Sequence, residues 1–244
     1  MPDLYDTRSF APCRAEGLRR LAAFLPATGR SYASGRNTDG GPDDRRHVST
    51  LSPYIRHRLI TEREVLDAVL QHHSLTTAEK FVQEVYWRTY FKGHLETRPQ
   101  IWRRYREALD QQLATIADGG GLARAYHKAV EGRTEIDCFD AWVDELRETG
   151  YLHNHTRMWL ASIWIFTLKL PWELGADFTY RHFIDGDPAS NTLSWRWVAG
   201  LHTKGKTYLA RAANIAEFTC GRFDPKGLAS SAVPLDEPPI GPAR

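Results

Sequence analysis

Apolar residues in this chain recur three and four positions apart in one segment after another, and no run alternates apolar with polar residues as a half-buried strand requires. That periodicity predicts an all-α fold in which each segment buries one stripe against its neighbours. Start and stop signals agree. In TEREVLDAVL, Thr61 and Glu64 stand in capping-box spacing, and Thr76 and Glu79 repeat the pattern at the head of TTAEKFVQEVYWRTYF. Further helices are predicted in IDCFDAWVDELRETG, closed by Gly150, in HTRMWLASIWIFTLKL, stopped by Pro171, and in KTYLARAANIAEFTCGRF.

Three stretches break the pattern. Residues 29–47, GRSYASGRNTDGGPDDRRH, are a glycine-rich polar loop too long for a mere connector, which points to binding or mobility. Gly119 to Gly121 separate two helices. From Asp224 the chain is rich in proline with little to bury, so the helical domain is expected over residues 1–223 and a disordered tail over 224–244. No internal repeat is found.

A chain of 244 residues, 42% of them hydrophobic, is long enough to bury a core as one domain with appendages. No apolar run approaches the roughly 18 residues of a spanning helix, and the N-terminus lacks the apolar stretch of a signal peptide. The expectation is a soluble, cytoplasmic protein with no membrane partner. Cys13, Cys138 and Cys220 are far apart, odd in number and outside any C-x-x-C spacing, which argues against a disulfide framework, a zinc site or an iron–sulfur cluster. A net charge of +2 announces no nucleic acid, so a polyanion would have to meet a local basic surface. Eight tryptophans exceed the needs of a core this size and reserve some rings for stacking or redox chemistry.

The densest chemistry lies in HFIDGDPASNTLSWRW, His182 to Trp197. An EF-hand loop starting at Asp185 fails, because its glycine position holds Ser190 and its final glutamate position holds Arg196. His153 and His155 could join Asp185 and Asp187 around a metal, but two helical residues that close in sequence diverge by roughly 200°. No metal is expected. Asn191 and Trp195, four apart, share a helix face, while Trp197 points roughly 200° from Trp195.

Elsewhere, Glu84, Trp87, Arg88 and Phe91 share one face of a helix, either as a site or as an exposed Glu84 to Arg88 pair. Asn154, Arg157 and Met158 share another, and an arginine on so apolar a helix needs a partner, for which Asp185 or Asp187 is the candidate. Hydroxyls in VSTLSP precede a helix opening at Pro53, a place that suits a phosphate, although Ser52 is equally an ordinary N-cap.

Taken in order, STLSPYI (49–55), EVYWRTYF (84–91), GYLHNHTRM (150–158) and IDGDPASNTLSWRW (184–197) resemble the FAD-binding helical domain of the DNA photolyase and cryptochrome family, over about Tyr32 to Phe223. The resemblance implies a folded FAD whose diphosphate and ribityl region is held by Tyr32, Ser49, Thr50, Leu51 and Ser52. Glu84, Arg88, Asn154 and Gly186 would also lie against the cofactor. Arg157 would pair with Asp185 beside the flavin, Asp187 would serve the adenine side, and Asn191 would face the flavin N5. Trp195 would be the ring nearest the flavin, relaying an electron from Trp172. A flipped cyclobutane pyrimidine dimer in UV-damaged DNA would lie between Trp87 and Trp197, with Glu84 and Asn154 bonding its edge and Met158 touching it. The implied activity is light-driven splitting of the dimer by an electron from excited reduced FAD.

The sequence also departs from that family. The family's α/β antenna domain is not expected upstream, and with it no antenna chromophore, unless a separate antenna-type polypeptide supplies one. Ala129 and the Gly119 to Gly121 loop stand where tryptophans are usual, leaving Trp102, Trp159, Trp164 or a tyrosine to complete the relay. His155 stands where arginine is common and Tyr151 where tryptophan is. Two other functions compete with repair: a cryptochrome-like photoreceptor signalling to a partner, and an FAD- or DNA-binding protein without repair activity.

Overall fold

In the computed structural model, which describes residues 8–242, the chain begins with α1 (Arg14–Phe24), α2 (Arg30–Gly35), α3 (Ser52–Arg56), α4 (Glu62–His72), α5 (Leu75–Glu96) and α6 (Pro99–Ala117). It continues through α7 (Gly121–Val130), α8 (Asp137–Thr149), α9 (Asn154–Ser162), α10 (Trp172–His182), α11 (Pro188–Val198) and α12 (Ala212–Phe218). No strand occurs among the described residues, and the fold is all-α. None of these helices is long and apolar enough to cross a membrane.

Helix ends follow the side chains that satisfy free backbone groups. Thr61 and Glu64 close the predicted capping box. The box expected at Thr76 and Glu79 does not form. Helix α5 opens earlier on Ser74, whose extended backbone leaves it outside the helix with its hydroxyl 3.3 Å from the Thr77 N–H it caps. Gly150 ends α8 in the left-handed region, φ 67°, as predicted. The helix read over 155–170 changes pitch to a π turn at Ile163–Thr167. The one read over 206–223 shortens to α12, because the Ala210 N–H donates to the Ser162 hydroxyl at 2.8 Å instead of to its own turn.

Among the described residues, two apolar clusters form the interior. The larger joins α8, α9, the π turn, α10 and α11 around Trp142, Trp159 and Trp164, all fully buried. The smaller joins α1, α3, α4 and α5 around Phe24, Tyr54, Val65 and Phe81. Helix α11 packs on α5, α9 and α10, so the loop before it lies where the two halves meet.

The glycine-rich loop contains α2 and is then pinned from below. Buried Asp39 accepts from the Thr156 hydroxyl at 2.7 Å, and buried Arg45 pairs with Glu145 at 3.1 Å.

The tail touches the body at several points. Up to residue 242 it has no helix or strand, yet Leu235 N–H donates to the Ala199 carbonyl at 3.0 Å, Arg104 donates to the Pro238 carbonyl at 2.6 Å, and Glu237 pairs with Arg196. Composition measures what a tail can bury of itself. Here the body supplies the need, since Arg196 is 3% exposed and requires a carboxylate. Residues 1–7 of the expected domain and 243–244 of the tail lie outside the described residues.

Candidate functional site

Helix α11 opens on Asp187 because that side chain caps it. Oδ1 accepts from the N–H groups of Ala189 and Ser190 at 3.1 and 3.0 Å, and Pro188 presets φ in the first turn. Its Oδ2 faces Arg88 at 3.3 Å, Lys92 at 3.9 Å and Arg56 at 4.0 Å. Arg56 also donates to the Gly186 carbonyl at 2.6 Å, and Glu62 answers Arg88 at 3.3 Å. Glu62 also pairs with Arg58 at 2.8 Å, so four cations share two carboxylates, and burial together with the Arg88 charge holds the Lys92 amine below its ordinary pKa. A surplus of this kind suits a further anion.

Asp185 receives a two-point bond from Arg157, at 3.1 and 2.9 Å, and a 2.5 Å bond from the Ser52 hydroxyl. Arg157 lies 3.9 Å from the Phe183 ring centre and donates to the Leu152 carbonyl at 3.0 Å. One buried carboxylate therefore fastens α3, α9 and the loop before α11 together. Ser52, spent on that bond, is the first residue of α3 and does not cap it. Both aspartates are engaged by cations, and among the described residues no group of three His, Cys, Asp or Glu could hold a metal ion.

Just upstream, Thr50 has φ 51°, a region that β-branched residues rarely enter. Its hydroxyl accepts from Arg20 at 2.8 Å and donates to the Ser49 carbonyl at 2.8 Å, and Leu51 lies in the core at 2% exposure. The side chains of Thr50 and Leu51 therefore face inward, and what they can offer a ligand is backbone. Ser49 is half-buried, as is Tyr32, which packs edge-on against Phe81 with ring centres 5.0 Å apart.

Asn191 and Trp195 share the face of α11 that meets α10. Trp195 Nε1 donates to the Thr179 hydroxyl at 3.0 Å, while Asn191 donates to the Ala176 carbonyl at 2.8 Å and holds its own oxygen 3.1 Å from the same hydroxyl. Trp195 closes on Gly175 so tightly that a Cβ there would fall 2.3 Å from its ring. The ring against Trp195 is Trp164, edge to face at 6.1 Å. Trp172 lies against Tyr105 at 5.4 Å, and Tyr105 against Trp102 at 5.2 Å. Trp197 turns outward, 36% exposed, and stacks on Tyr208 at 5.7 Å.

On α5, Glu84 does not pair with Arg88. It faces Arg36 of the glycine-rich loop at 3.3 Å while Arg88 turns to Asp187. Burial pushes the Glu84 carboxyl up in pKa, an effect that Arg36 offsets in part. Trp87 is 49% exposed and meets Tyr90 edge-on at 5.3 Å. Asn154 is exposed at the first turn of α9 and Met158 is half-buried one turn later. Since α5 and α9 both pack on α11, three neighbouring helices carry Glu84, Trp87, Asn154, Met158 and Trp197.

Sequence reasoning missed Arg36, Arg56, Lys92 and Thr179. Lys92 was within reach, four residues after Arg88 on the same face. Arg36 and Thr179 gave no signal, because their partners come from distant segments.

Residues 81–229 match the family described as the FAD binding domain of DNA photolyase. The deoxyribodipyrimidine photo-lyase of Streptomyces griseus is 30% identical over 192 residues, 77% of this chain and 39% of its own length. One from Thermus thermophilus is 31% identical over 217 residues, 88% of this chain and 49% of its own. Among solved structures, a bacterial class III photolyase from Agrobacterium tumefaciens is similar with TM-score 0.71 at 24% identity, over 89% of this chain and 45% of that one. A cryptochrome of Synechocystis sp. PCC6803 gives 0.69 at 21%, over 88% and 45%. These two likenesses show the fold, and the chain spans less than half the length of all four proteins. The matched residues include most of α5 and the whole of α9, α10 and α11, and on that match this chain belongs to the FAD-binding domain family of the DNA photolyases.

Proposed function

We propose that this chain binds FAD and, with the flavin reduced, uses light to split cyclobutane pyrimidine dimers in UV-damaged DNA. The observation that carries this reading is the Arg157, Asp185 and Ser52 lock beside the cation surplus at Asp187, with exposed Trp87 and Trp197 on the adjoining helices.

The donor set fits FAD. A diphosphate suits Arg56, Arg88 and Lys92, and Nε of Arg36 is buried without a hydrogen-bond partner. Ser49 and Ser52, the backbone of Thr50 and Leu51, Tyr32 and Gly186 would border the same ligand. The flavin, once bound, supplies light absorption and the electron that opens the cyclobutane ring. Asn191, oriented by Ala176 and Thr179, would present its amide to the ring system, and Trp195 with Trp172 would supply reducing electrons. Trp87 and Trp197 would stack on the extruded dimer. Glu84, with its raised pKa, holds a proton more readily than an exposed glutamate and can donate it to a pyrimidine carbonyl alongside the Asn154 amide, with Met158 in contact.

Purified protein is expected to show flavin absorption, to release the flavin in acid, and, once reduced and illuminated, to remove dimers from an oligonucleotide. Trp197→Ala should weaken binding of that oligonucleotide by about tenfold through lost stacking, with flavin retained. Absence of flavin, or persistent lesions together with unchanged DNA affinity in Trp197→Ala, would end the proposal.

A further inference from the structure

Tyr208 stacks on the exposed Trp197, with ring planes 29° apart. Its hydroxyl lies 3.0 Å from Nε2 of His155, whose Nδ1 lies 3.1 Å from the Asn37 carbonyl oxygen. A carbonyl can only accept, so Nδ1 carries a proton. Burial lowers the His155 pKa, which favours the neutral ring. Nε2 therefore holds a lone pair, and the phenol donates to it. The alternative acceptor, Asn214 Oδ1, is farther at 3.5 Å and already accepts from Trp159 Nε1 at 3.0 Å. Beneath, His155 lies flat on Trp159 at 4.2 Å and Trp159 on Trp142 at 5.6 Å, so a stack runs from the surface to a ring 1% exposed.

We infer that Tyr208 and His155 form a proton-coupled electron donor that reverses one-electron oxidation of Trp197. An indole radical cation at Trp197 takes one electron from Tyr208 while the phenolic proton passes along its hydrogen bond to Nε2 of His155. The products are an intact indole, a neutral tyrosyl radical and an imidazolium that still donates from Nδ1 to Asn37. One positive charge has moved from indole to imidazole and one electron from phenol to indole, so the step balances. The initial oxidant is a diffusible one-electron photo-oxidant, and a thiol returns the tyrosyl radical to phenol by giving up a hydrogen atom. The preset tautomer matters because a phenol oxidised without a base would leave a charged radical in a desolvated place. Neither flavin nor DNA is needed for the pair to act. It protects a ring at the surface, where a long-lived indole radical would react with water or oxygen and lose its flat stacking face.

The test oxidises the full chain, without flavin, with a soluble ruthenium polypyridyl photo-oxidant and an electron acceptor. Peptide mapping then gives oxidised Trp197 relative to oxidised Trp87, which is 49% exposed and normalises the dose. Tyr208→Phe keeps the ring and removes the donor, and should raise that ratio about tenfold, the effect of losing roughly 1.4 kcal/mol of barrier lowering. His155→Gln should raise it similarly, because an amide accepts the hydrogen bond without acting as a base. Wild-type protein should show a higher ratio in D2O than in water, and Tyr208→Phe should not. An unchanged ratio in Tyr208→Phe, or equal wild-type ratios in the two solvents, would overturn the inference.

Discussion

Asp185 joins α3 and α9 through one carboxylate. It is 6% exposed and holds Arg157 and Ser52 at once. Arg157→Ala leaves that carboxylate buried with one hydroxyl partner, and the expected cost is about 3 kcal/mol, read as a lower urea midpoint. Arg157→Lys should recover only part, because an ammonium cannot make the two-point bond. This pairing was legible in the sequence, since a charge on an apolar helix must be answered and the acids of IDGD were the candidates. The Glu84 partner was not legible. Arg88 sits one turn away, yet Arg36, 48 positions distant, takes the contact, because the carboxylates of Asp187 and Glu62 draw Arg88 to another cluster.

At the scale of elements, periodicity located the helices and local chemistry misplaced some ends. Ser74 displaced the Thr76 box because capping depends on backbone conformation as well as spacing. The glycine-rich loop, expected to bind or to move, is fastened to α8 by Arg45 and Glu145. Burial raises the Glu145 pKa to about 7 from an ordinary 4.5, more than the Arg45 charge lowers it. The folded state thus holds this proton more tightly than the unfolded chain does. Its contribution is complete below pH 4.5 and is lost as pH rises through about 7. Wild-type protein should therefore lose stability relative to Glu145→Gln between pH 5 and 7.5, by at most about 1.4 kcal/mol per pH unit. Denaturation midpoints of both proteins across that range check it, and a constant difference would contradict it.

Over the whole molecule, the segment after Asp224 acts as a strap. Glu237 neutralises Arg196, which lies in α11 between the two tryptophans and is 3% exposed. Glu237→Ala is expected to cost about 2 kcal/mol, less than a fully buried pair because Glu237 is partly exposed, and to speed proteolysis within residues 224–242. Equal cleavage rates in wild type and variant would contradict the strap. The pairing of Arg196 with Glu237 was not legible in the sequence, because that partner arrives 41 residues later from a stretch without periodicity. The same division holds throughout. Helical spacing by itself determined the all-α class and which side chains share a face, including the divergence of Trp195 from Trp197, since 3.6 residues per turn is a property of the backbone alone. Tertiary structure decided which charge meets which, that Trp164 abuts Trp195, and that Tyr208 and His155 meet beneath Trp197. Those contacts join segments remote in sequence, and packing selects among chemically equivalent partners by where each helix comes to rest.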